Sequence, residues 1–260
     1  MAGELKRHYW ITGAGSGIGR ALADRLAGEG HRVYVSGRNP DKLESLAQSL
    51  GGYVIPVVCD VANDQEMAGV LAAHNVEHLD TVILCAGICE YIDMPALDID
   101  TIRRVTETNF HGVVNSCIAA LPLLKRQAGA SPGERPHIIG VGSMSSYLGF
   151  PRAEAYGASK AAMAYFLDAL RTDLVGKVDV TVVYPGFVST PMTDRNDFPM
   201  PFLISAEEAA SIIIRKASRR PCSIVFPLRL HWLLRVLSWF PGLWYSFISP
   251  RLSRSAGAGS

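Results

Sequence analysis

Residues 8–11, His8-Tyr9-Trp10-Ile11, form a short apolar stretch, and Thr12-Gly13-Ala14-Gly15-Ser16-Gly17-Ile18-Gly19-Arg20 follows it directly. A helix-compatible run over 21–27 comes next. Strand, glycine turn and helix in that order constrain the fold more than any other feature of the chain. The glycines let the backbone turn tightly and approach a bound group with no Cβ in the way. The helix behind them aims its unpaired N–H groups at that group, an arrangement suited to a pyrophosphate. A glycine cluster alone is an ordinary loop; its place between a strand and a helix makes it a nucleotide site.

The second strand, 33–36, ends in Gly37-Arg38-Asn39-Pro40. Folds that select NAD usually carry an acidic residue here to bond the ribose 2′-hydroxyl. This chain has none, and Arg38 offers a guanidinium fork suited to a 2′-phosphate. A solvated loop arginine is the plainer alternative. With the carboxylate missing, NADP(H) is favoured over NAD(H). Asp60 and Val61, after the apolar strand 53–58, are placed to meet the adenine ring.

Further along, Tyr156 and Lys160 stand four residues apart, with Ser143 thirteen positions before the tyrosine. On a helix, residues i and i+4 share a face. A free phenol has a pKa of about 10 and exchanges protons poorly at neutral pH. A nearby ammonium is expected to lower that value, and a tuned phenol beside a hydroxyl can move a proton on or off a carbonyl oxygen. The serine has two neighbours, Ser145 and Ser146; spacing from the tyrosine selects Ser143.

Together these residues resemble the short-chain dehydrogenase/reductase family, in its short single-domain branch, over about the first 225 residues. The carriers are Thr-Gly-x-x-x-Gly-x-Gly, then Ala86-Gly87 after the strand 81–85, Asn109, Ser143, Tyr156-x-x-x-Lys160, and Pro185-Gly186 with Thr190 after the strand 179–184. One departure is Cys85, where the family usually has asparagine, which puts cofactor affinity rather than chemistry in question.

The resemblance implies an enzyme acting on CH–OH donors with NAD(P). Tyr156 would be the general acid for carbonyl reduction and the base for oxidation. Lys160 would hold the phenol's pKa down and bond the nicotinamide ribose, Ser143 would fix the substrate oxygen, and Asn109 would hold a water linking Lys160 to solvent. Besides Asn109, Tyr156 and Lys160, the cofactor would meet Gly13, Ser16, Gly17, Ile18, Gly19, Arg38, Asp60, Val61, Ala86, Gly87, Pro185, Gly186, Val188 and Thr190, the last at the nicotinamide carboxamide. A silent NADP(H)-binding sensor or scaffold is the competing function, and keeping all four catalytic positions argues against it.

Segments rich in Val and Ile alternate with helical runs at 42–50, 64–73, 101–125, 155–175 and 206–217, the pattern of parallel βαβ units. The expected fold is α/β: a Rossmann-like, doubly wound parallel sheet of seven strands in the order 3-2-1-4-5-6-7, one domain over 1–226. The break 127–136 reads as a solvated loop. Five cysteines, at 59, 85, 89, 117 and 222, show no metal-ligand spacing. Cys85 and Cys89 read either as buried thiols or as a redox pair. His111 and His231 read as packing or surface residues, so no metal is expected. The charged start (Glu4, Lys6, Arg7) has no apolar leader, and a cytoplasmic setting is expected.

The formal net charge of +1 hides an asymmetry. No acidic residue follows Glu208; before that point 17 basic against 24 acidic residues leave −7, and the last 52 residues carry +8. Residues 227–252 also hold three of the four tryptophans. Arginine with Trp, Tyr and Leu is the composition of a helix lying in a membrane interface. The longest uncharged stretch of this extension, 236–250, has 15 residues, short of the roughly 20 that cross a bilayer. A lid over the substrate or a subunit interface remain open for this extension, while its apolar content argues against nucleic acid. Residues 253–260 read as a disordered end. The loop 187–204, rich in Met, Phe and Pro, points to a lipophilic carbonyl or alcohol as substrate. By family resemblance a homodimer or homotetramer forms through the two long helices near Asn109 and Tyr156.

Overall fold

The computed structural model describes residues 6–93, 96–126, 134–196 and 198–252. Seven strands form one parallel sheet: β1 (His8–Thr12), β2 (Arg32–Gly37), β3 (Val54–Val58), β4 (Thr81–Leu84), β5 (His137–Val141), β6 (Asp179–Pro185) and β7 (Ser223–Phe226). Their order is β3-β2-β1-β4-β5-β6-β7, as expected from the alternating pattern. Because the order reverses direction between β1 and β4, the C-terminal ends of these two strands open a crevice.

Alternate residues of each strand feed opposite faces. Trp10 joins one apolar layer with Val82, Cys117, Leu124, Met163 and Leu167. Its neighbour Ile11 joins the other with Leu22, Leu26, Leu43, Ile83 and Ile213. The first layer is covered by α6 (Gly112–Lys125) and α7 (Glu154–Asp173), the second by α1 (Gly17–Gly28), α2 (Pro40–Leu50) and α8 (Ala206–Ala217). Caps fix where several of these helices start. Asn39 accepts from the Lys42 N–H at 3.1 Å with Pro40 in the first turn, and Ser205 accepts from Glu208 N–H at 3.1 Å.

Two expected helices differ from the sequence pattern. The run 64–73 is broken into α3 (Asp64–Met67) and α4 (Val70–Ala73), because Gly69 adopts a φ of 77°, a left-handed turn that no helix continues through. The run 101–125 begins as α5 (Ile99–Thr106) and passes through a π-turn at Glu107–His111 before α6, so Asn109 sits in the widened turn. After β7 comes α9 (Leu228–Trp239), then further helical turns to Leu252. Part of the expected solvated loop, 127–133, and the expected disordered end, 253–260, lie outside the described residues. Among the described residues no helix is long and apolar enough to cross a membrane.

Candidate active site

A cavity of about 320 Å³ lies at the C-terminal ends of the strands. All sixteen expected cofactor positions other than Asn109 line it, with Ser143 beside them. The glycine turn packs too tightly for any side chain: a Cβ on Gly19 would lie 2.4 Å from the Gly13 carbonyl oxygen, and one on Gly13 (φ +69°) 2.6 Å from Ala86 Cα. Such a cradle fits a diphosphate lying against backbone.

Arg38 sits on the same wall, two-thirds exposed, with its Nη1 4.0 Å from an Asp60 oxygen. An exposed pair at that distance holds the guanidinium weakly, so it is free to turn to a ligand. Asp60 is itself anchored, its other oxygen accepting from Ala62 N–H at 3.0 Å. Lys42 lines the same cavity as Arg38, against Gly15 of the glycine turn, and was missed by the sequence reading. Its position in the first turn of α2, four residues after Arg38, was the available signal. Thr190 lies against the glycine turn at the other wall: a Cβ on Gly17 would be 3.0 Å from its methyl.

At the far end, α7 carries Tyr156 and Lys160 on one face, as their spacing requires. Ser143 ends the loop after β5; its hydroxyl accepts from Ser145 N–H at 3.1 Å, and it lines the cavity together with Tyr156. Lys160 is buried, and its Nζ donates to the Val141 carbonyl at 2.9 Å. Asn109 is fully buried outside the cavity lining. Its amide donates to Ile88 O at 2.9 Å and Ser159 Oγ at 3.0 Å, while its oxygen accepts from Ile88 N–H at 2.8 Å. Both amide hydrogens are therefore taken by protein, which leaves one Oδ1 lone pair for the expected water. A Cβ on Gly87 would touch both Asn109 Oδ1 (3.1 Å) and Lys160 Nζ (3.2 Å), so the three meet at one point.

Electrostatics correct one expectation. Burial pushes the Tyr156 phenol well above the usual tyrosine value; Cys89, Tyr91 and Cys85 add to this, and only the Ser143 hydrogen bond opposes it. Burial also draws Lys160 down to about 8 from 10.5. The ammonium does not lower the phenol here, because it points to the Val141 carbonyl and stands 6.0 Å from the ring centroid. Desolvation disfavours the charged form of each group, and it outweighs their mutual attraction.

Cys85 is half-buried; its backbone N–H donates to Thr12 Oγ1 at 3.2 Å, and burial holds its thiol protonated, with a pKa of about 11. Cys89 is likewise raised to about 11. From the loop 187–204, Val188, Thr190, Pro191, Met192 and Thr193 line the cavity. Tyr91 Oη donates to Asn196 Oδ1 at 2.6 Å, and Phe198 meets the rings of Tyr91 and Phe187.

The family model for short chain dehydrogenases matches residues 7–198. An uncharacterized oxidoreductase of Myxococcus xanthus is 35% identical over 236 residues, covering 88% of this chain and 91% of that protein. The 11-beta-hydroxysteroid dehydrogenase 1A of Arabidopsis thaliana is 32% identical over 195 residues, 72% of this chain and 54% of that protein. Among solved structures, a short chain dehydrogenase/reductase from Burkholderia phymatum, crystallised with NAD, has the same fold. Its TM-score is 0.81 at 22% identity, over 92% of this chain and 95% of that one. With the sheet order, the cradle and these similarities in agreement, the chain belongs to the short-chain dehydrogenase/reductase family, oxidoreductases that act on CH–OH donors with a nicotinamide dinucleotide.

Proposed function

We propose that the chain is an NADP(H)-dependent oxidoreductase interconverting a lipophilic carbonyl and a secondary alcohol. The observation that carries this reading is the meeting of Ser143, Tyr156 and Lys160 on one wall of the cavity whose far end is the glycine cradle. When bound, the dinucleotide supplies or takes the hydride. The protein's part is placement and proton transfer. Tyr156, fully protonated at neutral pH, gives its proton to the carbonyl oxygen as negative charge develops there. Ser143 donates a hydrogen bond to the same oxygen. Lys160 has two N–H groups left after Val141 with which to hold the nicotinamide ribose. Asn109 keeps the Ile88 backbone in place beside them.

Preference for NADP(H) is supported by Arg38 and Lys42 in the cavity lining, and by the missing acid after β2. A lipophilic substrate is supported by Pro191 and Met192 in the cavity wall, by the ring cluster of Tyr91, Phe187 and Phe198 that packs with the same loop, and by the relative named for a hydroxysteroid. Ile118 on α6 and Tyr165 on α7 stand 65% and 80% exposed, which supports a homo-oligomer through these long helices. Residues 1–226 form the catalytic domain and 227–252 an extension of it.

Purified protein with NADPH and a panel of ketones tests the reaction: turnover is expected, and Tyr156→Phe abolishes it. Tight NADPH binding with no turnover on any substrate would leave a cofactor-binding protein instead. Arg38→Ala is expected to weaken NADPH binding by about ten- to a hundredfold, from the loss of charge-assisted bonds. NADH binding stays within about twofold, and equal effects on the two would remove the NADP(H) assignment.

A further inference from the structure

Residues 228–252 contribute ten of the nineteen large apolar side chains that stand exposed among the described residues. This concentration belongs to a segment with two distinct faces. On the inner face, Leu230, Leu234 and Trp244 are buried against Met144 and Leu148. Trp244 Nε1 donates to the Gly149 carbonyl at 2.9 Å, and Gly149 N–H donates to Tyr245 Oη at 3.3 Å. A Cβ on Gly186 would lie 2.8 Å from Leu230 Cδ2. The inner face is therefore seated on the two loops that wall the cavity, the one carrying Ser143 and the one carrying Gly186.

The outer face stands exposed, with Trp232 meeting the ring of its neighbour His231. Trp232, Val236 and Trp239 form a stripe along one face of α9 at intervals of three or four, and Leu243 and Phe247 stand exposed in the helical turns after the break at Phe240; the exposure of the five runs from 45% to 71%. Arg229, Arg235 and Arg251 stand exposed in the same segment, and no acidic residue occurs after Glu208. Tryptophan rings belong at the level of lipid headgroups, and arginines beside them attract anionic headgroups. A second copy docked on this segment by two-fold symmetry would bring together two surfaces that carry arginines and no acidic residue, which like charge opposes. No described helix is long and apolar enough to cross a bilayer, so the stripe would lie on the surface.

We propose that residues 228–252 dock the protein on an anionic phospholipid surface, with this stripe among the headgroups and the rim of the cavity brought to the bilayer. Docking is independent of the proposed reaction; the delivery of a lipophilic carbonyl from the bilayer to Tyr156 rests on that reading.

The test is co-sedimentation of the full-length protein with phosphatidylcholine vesicles, either pure or containing about one-third phosphatidylglycerol. The anionic vesicles are expected to bind at least about tenfold more tightly. Replacing both Trp232→Ser and Trp239→Ser should weaken that binding by about tenfold or more, and Arg229→Ser by about fivefold. Turnover of a water-soluble ketone with NADPH stays unchanged in both variants. Absence of binding to the anionic vesicles, or binding that the double tryptophan variant leaves intact, would overturn the proposal. So would sedimentation velocity showing a dimer that the tryptophan variant dissociates, since the stripe would then be an interface between copies. Vesicle binding retained in a protein with no turnover would uphold the docking and reject the reaction alone.

Discussion

Both ends of the sheet bury polar groups, and they do so in opposite ways. At the N-terminal ends of the strands the Asp179 carboxylate accepts from Arg135 Nε and Nη2 at 3.1 and 2.9 Å, with Arg220 3.9 Å away. His137 Nε2 lies 2.8 Å from Thr181 Oγ1, which donates to Pro221 O at 2.6 Å, and Asp80 accepts from His8 N–H at 2.7 Å. Each charge there meets a counter-charge or a hydrogen-bonding chain. At the C-terminal ends, Lys160 is buried with the Val141 carbonyl as hydrogen-bond partner, and the groups that pull its pKa back up are two thiols, Cys85 and Cys89. A buried charge held without a counter-ion costs stability. The contrast separates polar groups that hold the fold together from those the fold holds at a cost, and the second kind lies where a ligand is bound.

The largest expected effect compares the two ends directly. Tyr156→Phe should cut turnover by about a thousandfold and shift the melting temperature by no more than about 2 °C. Asp179→Ala should do the reverse, with kcat preserved and roughly 3 kcal/mol of stability lost, because it removes the carboxylate to which Arg135 donates twice. A stable Asp179→Ala protein in urea unfolding would break the comparison.

Lys160→Met should come next. In the fold Lys160 titrates at about 8 against 10.5 unfolded, so between these values the unfolded chain binds the extra proton. Wild-type stability therefore rises as pH climbs from about 8 to 10.5. Below that window the charged lysine costs about 3 kcal/mol, so at pH 7 the methionine variant should be more stable by up to that amount, while its cofactor binding and turnover are lost. Unfolding curves at pH 7 and above 10 check this; a stability difference that stays constant with pH would contradict it.

The smallest effect lies at the other end and in another pH range. Burial, with Arg220 and Arg7 nearby, holds His137 well below 6.5. It stays neutral in the fold while the unfolded chain takes up a proton, so stability is lost as pH falls below 6.5, by about 1.4 kcal/mol per unit. His137→Gln should flatten that acid limb and leave the alkaline rise in place. If it alters the alkaline side instead, the assignment of the two ends is wrong.

Much of this was legible beforehand, for physical reasons. Strand and helix alternation fixed the sheet, because each apolar period is a local property of the chain. The candidate site was legible because close backbone approach excludes every residue but glycine, at Gly13 and Gly19 above all. Lys42 escaped because a lysine in a helix's first turn is ordinary until the fold brings it into the same cavity as Arg38. The break at Gly69 escaped because a single glycine inside an apolar run is tolerated in many helices. The phenol's proton affinity was misjudged because sequence spacing gives the nearness of Lys160 but not its direction or the burial of both groups.

By itself, the sequence determined the order of the elements, the glycine cradle, the shared face of Tyr156 and Lys160, and the charge asymmetry of the last 52 residues. All of these follow from local periodicity, backbone sterics and composition. Only the tertiary structure decided that Lys160 turns to Val141, that Asn109 is consumed by Ile88 and Ser159, and which face of α9 is buried. Those outcomes depend on desolvation and on contacts between segments far apart in the chain, and neither quantity exists until the chain has packed.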